Sequence, residues 1–190
     1  AKYAGEEPRL LESEHASVTA FLAVERPKVL VLATHAFFLP GAGERRRGAP
    51  LDDPFGRCGV LFAGFNRRAS GDAGAVTGRQ ILSVDLHGTG LVILSACETG
   101  LGDVRVGEGV AGLRQAFQLA GAESVIATLW KIPDAESARV MTSLAKNLAA
   151  KESRSQALRE AQISEIATRR KENASAHPFY WGAFTMTGRE

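Results

Sequence analysis

The chain has 190 residues, 45% of them apolar, enough for one domain with a packed core. Its 23 Lys and Arg nearly balance 21 Asp and Glu, for a net charge of +2. That balance argues against a dedicated nucleic-acid surface, and no nucleic-acid partner is expected. No apolar run approaches the roughly 20 residues of a membrane-spanning helix, so no membrane partner is expected. Residues 1–20 are charged and carry no apolar signal core.

Residues 1–8 are polar. Leu10 to Ala23 has helical spacing, with Leu11, His15, Val18 and Leu22 on one stripe, so His15 is read as a helix-face residue. After Pro27, V-L-V-L at Val29–Leu32 predicts a strand that runs through Ala33 and Thr34 into His35. Gly41 to Pro54 is rich in Gly, Pro and charge and includes Arg45, Arg46 and Arg47. Residues 41–57 are read as an exposed loop, with a solvated Arg cluster favoured over a phosphate or nucleic-acid site. Such an exposed basic loop is also a candidate segment for proteolytic cleavage. Gly59–Phe65 is the next apolar segment, read as a strand, and Cys58 at its start is read as a buried structural thiol. Thr77 is a candidate N-cap for a short helix reaching Leu86.

L-V-I-L at Leu91–Leu94 is a continuous apolar run that ends in Ser95, Ala96 and Cys97 and breaks at Gly100 and Gly102. It predicts a buried strand of a parallel sheet. Gly107–Gly121 has Val110, Leu113 and Phe117 on one helical face. The glycines at 100, 102, 107 and 109 do not fit a phosphate-cradling loop, since no Lys follows, and a nucleotide-binding reading ranks last. Ser124–Trp130 is a further strand, ended by Pro133. Ala135–Ala149 reads as a helix, with Met141, Leu144, Ala145 and Leu148 on one face. Ser153 or Ser155 caps another helix reaching about Arg170. His177, read as structural, and Pro178 open F-Y-W-G-A-F-T-M-T, aromatic and β-branched enough for a last strand. Trp130 and Trp181 are read as packing residues. The alternation predicts one α/β domain with a mostly parallel sheet and helices on both faces.

Ligands of open α/β sheets bind beyond the carboxyl ends of the strands. There the sequence sets two reactive groups, the imidazole of His35 and the thiol of Cys97. Free Cys has a pKa of about 8.5, and the thiolate is the nucleophile. A neighbouring imidazole lowers that pKa or takes the proton during attack. The order, His some tens of residues upstream of Cys, resembles that of caspases. With only Cys58 and Cys97 there is no disulfide framework, and a reducing, cytoplasmic setting is expected. A start without Met fits an excised domain or a processed product.

A-T-H at Ala33–His35 and L-S-A-C-E-T-G at Leu94–Gly100 resemble the two signature blocks of the CHAT family. These are caspase-like domains of clan CD, related to separase and often joined to tetratricopeptide repeats. V-G-E-G-V-A-G-L at Val106–Leu113, S-V-I-A-T-L-W-K-I-P-D at Ser124–Asp134 and H-P-F-Y-W-G-A-F at His177–Phe184 resemble further family blocks, in order. The resemblance implies a caspase-like three-layer sandwich over residues 1–190 and a cysteine endopeptidase. It implies Cys97 as nucleophile, His35 as general acid/base, and the backbone N–H groups of Cys97 and Ala36 as oxyanion donors. The family usually has Gly where Ala36 stands, and a positive φ there would strain Ala by roughly 1 kcal/mol or more. In separase the matching L-W-x-x-x-D turn places an Asp in the S1 pocket. That makes Asp134, with Glu98 beside the nucleophile, a candidate S1 residue favouring Arg or Lys at P1. Read by itself, Asp134 is a carboxylate at a helix start, stabilising by about 0.3–1 kcal/mol; the two readings are compatible. No metal or cofactor is implied. The expected partners are a protein or peptide substrate and a tetratricopeptide-repeat or other regulatory domain. The alternative is a catalytically weak or inactive caspase-like interaction module, favoured by Ala36 and the short N-terminal portion.

Overall fold

The computed structural model describes residues 7–39, 53–66, 74–98 and 106–190. Most of the expected loop at 41–57, with Arg45–Arg47, and the breaks at Gly100 and Gly102 lie outside the described residues. So does Asp103.

Three parallel strands form the centre: β1 (Val29–Phe38), β4 (Leu91–Glu98) and β5 (Ser124–Thr128). On the β1 side β2 (Cys58–Leu61) and β3 (Ala75–Thr77) are added antiparallel. On the β5 side β6 (Phe184–Gly188) is also antiparallel. The sheet order is β3-β2-β1-β4-β5-β6. The sheet is therefore mixed, which corrects the expectation of a mostly parallel one. Antiparallel neighbours need no crossover helix, and no helix is found between β1 and β2 among the described residues.

The helices cover both faces. Val18 and Phe21 of α1 (Val18–Leu22), Ile81 of α2 (Gly78–Ile81) and Leu113, Ala116 and Phe117 of α3 (Val106–Leu119) pack against Leu32, Val92, Leu94 and Val125. On the opposite face Val140, Leu144 and Leu148 of α4 (Asp134–Ala149) and Ala157, Leu158 and Ala161 of α5 (Arg154–Lys171) cover Leu91, Ile93 and Ile126. Alternate residues of β4 thus enter different cores, which is why its sequence reads as an unbroken apolar run. No helix among the described residues is long and apolar enough to cross a membrane.

Local chemistry trims several expected elements. The helix expected over Leu10–Ala23 is a 3-10 turn at Ser13–His15 followed by α1. Ser17 divides them: it is extended, and its hydroxyl accepts the N–H of Ala20 at 3.2 Å as an N-cap. Val18 and Phe21 are buried, whereas Leu22 and His15 are exposed. Thr77 does cap α2, with Gln80 completing a capping box, but the helix ends at Ile81 rather than Leu86. The strand expected over Gly59–Phe65 stops at Leu61. The last strand begins only at Phe184, because Pro178 and the His177 cap fold Pro178–Tyr180 into a 3-10 turn. On α4 the buried stripe takes Val140 where Ala145 was expected. Ser153 is the cap of α5. Gly121, at φ +114°, turns α3 towards β5, and a Cβ there would lie 2.7 Å from the His87 nitrogen.

Phe117 is fully buried and meets Phe21 edge to face at 6.4 Å. Phe117→Ala should cost about 3–5 kcal/mol, lowering the thermal midpoint by roughly 2–4 °C per kcal/mol. Leu119→Ala on the same helix, at a position 60% exposed, should stay within about 0.5 kcal/mol. Thermal unfolding of the two variants checks the contrast.

Candidate active site

The site begins with a register. β1 and β4 run parallel from Val29↔Leu91 to Ala36↔Glu98, and this pairing sets His35 beside Cys97. Neighbouring strands lie about 4.8 Å apart, and registered positions of a parallel pair share a face. Along β1, Leu32, Ala36 and Phe38 are buried under α1–α3, while Val31, Ala33 and His35 alternate with them and are exposed. His35 therefore stands in solvent at the carboxyl end of the sheet. Thr34 faces the other way and donates its hydroxyl to the Leu61 carbonyl at 2.6 Å, which ties this end of β1 to β2.

Ala36 lies inside the ladder, registered with Glu98 on one side and Val60 on the other. Among the described residues other than glycine, only Ser13, Arg26, Lys151 and Asn173 have positive φ. The strain anticipated for Ala at this position does not arise. Glu98 takes the register position after Cys97, paired with Ala36 and not with His35.

α4 begins beside the same face. Its first residue, Asp134, is exposed and follows Pro133, which provides no side-chain cap. One turn on, the Ser137 hydroxyl lies 3.5 Å from the Ser95 hydroxyl of β4. Ser95 stands on β4 two positions before Cys97, so this contact sets the acidic first turn of α4 beside the carboxyl end of the strand. The structure thus gathers His35, the Cys97 position and the turn that carries Asp134 at one edge of the sheet.

Sequence reasoning missed the groups that brace this turn. Glu136 accepts from Arg169 at 2.6 Å and lies 3.4 Å from Arg139. Burial works against its ionisation, but backbone and Arg169 hydrogen bonds and the charges of Arg139 and Arg169 hold its carboxyl below the usual range. Arg139 in turn forms a two-pronged pair with Glu165 at 2.8 and 2.7 Å. Glu165 and Arg169 fall on the stripe of α5 that includes Ala157, Leu158 and Ala161. Charged residues on an otherwise apolar helical stripe are the signal that could have found this network. Among the described residues no group of His, Cys, Asp and Glu could hold a metal ion.

Cys58 has no such setting. It is 1% exposed, and burial pushes its thiol up to about 11.

A family model, CHAT domain, matches residues 2–189, and the chain belongs to that family. It is also similar to the mouse protein "Tetratricopeptide repeat protein 28", at 33% identity over 102 residues. That match covers 52% of this chain and 4% of the relative; the chain spans a small part of that protein's length.

The raised pKa makes Cys58 a poor nucleophile near neutrality, because the thiolate is the reacting form. In native Cys97→Ala protein, iodoacetamide at about pH 7.5 should leave Cys58 unlabelled, and denaturant should expose it. Mass spectrometry reads both states, and rapid labelling of the folded variant would overturn the assignment.

Proposed function

We propose that this chain is a cysteine endopeptidase of caspase-like fold that cleaves after a basic residue. In this reading the Cys97 thiolate attacks the scissile carbonyl carbon. The His35 imidazolium gives its proton to the leaving amine, and a thioester remains on the sulfur. Water then attacks the thioester with His35 as base, releasing the carboxylic acid and restoring the thiol. The N–H groups of Cys97 and Ala36 serve the oxyanion, a role in which one donor is typically worth on the order of 10²–10³ in rate. Asp134, with Glu98, receives the P1 cation. A reducing compartment such as the cytoplasm keeps the thiol available.

One observation carries this reading: the parallel register that pairs His35 with Cys97 at the carboxyl ends of adjacent strands. Membership of the CHAT family supports it. The likeness to a tetratricopeptide-repeat protein supports a repeat domain or similar partner as regulator of the activity. A second reading is an interaction module of weak or absent activity; Ala36 gives it no support, since its backbone lies in the regular ladder without positive φ. An Arg-directed covalent probe separates the two readings, since labelling of Cys97 requires a working nucleophile.

Cys97→Ala and His35→Ala should each lower cleavage of Arg-containing fluorogenic peptides by about 10³-fold or more, with unfolding curves unchanged. Equal turnover by Cys97→Ala would end the proposal. A hydrogen bond to a charged group contributes about 1.5–3 kcal/mol. Asp134→Asn should therefore cost roughly ten- to a hundredfold in kcat/KM on Arg and Lys peptides, with little change for an uncharged P1. A uniform loss across all P1 residues would assign Asp134 to the helix terminus alone.

A further inference from the structure

The turn at Pro178–Tyr180 is tied down from many directions. The His177 ring accepts the N–H of Phe179 at 3.2 Å, and the Trp130 indole donates to the Phe179 carbonyl at 2.9 Å. Arg169 lies 3.6 Å over the Tyr180 ring while bonding the Ser175 carbonyl and Glu136. Gln162 donates to the carbonyls of Trp181 and Phe184 at 3.3 and 2.9 Å. Tyr180 meets Phe179 edge to face at 5.2 Å. Yet the Phe179 side of this braced turn is open, and the residue is 43% exposed. Scattered exposed apolar residues are ordinary. A phenyl held in water by bonds at both of its neighbours and at its own carbonyl is less so.

Its place in the fold gives the exposure a use. The last β4–β5 pair is Leu94↔Ala127, and beyond it the Leu129 N–H bonds the Ala183 carbonyl at 2.9 Å. Trp130 and Phe179 therefore lie just past the carboxyl end of β5, the sheet edge that also bears His35 and Cys97. Trp130 packs on the α4–α5 side, and Glu136 links the turn to the helix start that bears Asp134.

We propose that Phe179, its carbonyl held by the Trp130 indole and its ring set against Tyr180, is a specificity-determining contact for the peptide substrate. It receives an aromatic or bulky apolar side chain one or two positions before the basic residue. This rests on the peptidase reading above. Arg169 joins the Tyr180 ring to Glu136 in the first turn of α4, so the turn that carries Phe179 neighbours the helix start that bears Asp134, and in this proposal an extended peptide, advancing about 3.3 Å per residue, reaches from one to the other. Aromatic pairs contribute about 0.5–1.5 kcal/mol beyond area burial, a few-fold to about tenfold in affinity.

The test uses Arg peptides with Phe or Gly at the one or two positions before Arg. KM and kcat are measured on the native chain, and dissociation constants on Cys97→Ala. The native chain should prefer the Phe peptides about three- to tenfold in KM, with kcat unchanged. Phe179→Ala should erase that preference without altering the Gly peptide, and Phe179→Leu should keep part of it. Thermal unfolding confirms that both variants fold. A preference absent from the native chain, or kept in Phe179→Ala, overturns the proposal while the peptidase reading stands. Failure of the native chain to bind or cleave any Arg peptide overturns both.

Discussion

The parallel ladder between β1 and β4 fixes the rest of the molecule. Its register follows from which side chains each face can accept. Leu32 and Leu94 pair under α1–α3, and one position along Val31 pairs with Ile93 on the other face. A slip of one residue would exchange the two faces of β1. Leu32 would move into solvent and His35 into an apolar core, where an unpaired imidazole costs free energy. The hydrophobic effect that aligns the strands also aligns His35 with Cys97. Core packing and the candidate chemistry are thus one constraint, and a substitution that loosens the ladder should disturb both.

The second constraint is the charged seam between α4 and α5. Glu165 and Arg169 are 2% and 7% exposed. Buried ion pairs roughly balance desolvation against attraction and are weak sources of stability. What this seam does supply is direction. Arg169 joins the first turn of α4, through Glu136, to the carbonyl of Ser175 and the ring of Tyr180. Arg139 and Glu165 fix the helix crossing. Two elements far apart in sequence, the start of α4 and the Pro178–Tyr180 turn, are thereby held in one orientation near the carboxyl edge of the sheet. An apolar seam would pack as well and orient less, because apolar contacts are not directional.

The pairing of His35 with Cys97 was legible because both strands are continuous apolar runs. His35 stands as far beyond Val29 as Cys97 stands beyond Leu91, so aligned strand starts give aligned ends. β3 was not legible. Ala75–Thr77 is too short for alternation to register, and the cap signal of Thr77 pointed to the helix that follows. The parallel sheet expected from alternating elements failed at both edges, where β2, β3 and β6 pair with their neighbours directly. Phe179–Trp181 read as strand from aromatic composition, but Pro178 fixes its own φ and lacks an N–H, and the His177 ring caps the turn. Sequence also could not show which charged residues of α5 turn inward, since Glu165 gains its partner from α4, 26 positions away.

The edge of the helical cover runs alongside the candidate pair, His35 and Cys97. On the α4–α5 face, Leu91 and Ile93 of β4 are buried. Their register partners on β1 fare differently: Val29 is half-buried and Val31 is 50% exposed. Cover thus ends between β4 and β1, and Ala33 and His35 continue the open strip to the sheet's carboxyl edge. A nucleophile needs dry walls to raise the strength of nearby charges and hydrogen bonds, whereas its proton carrier and its substrate need access. At Leu91–Ile93 and Val29–Val31 the strand pair has helices over one member and solvent over the other, a boundary that suits the roles proposed for Cys97 and His35. Moving α4 by one strand towards β1 would close His35 in; moving it away would flood β4. The Ser95–Ser137 contact marks the line along which that boundary is held.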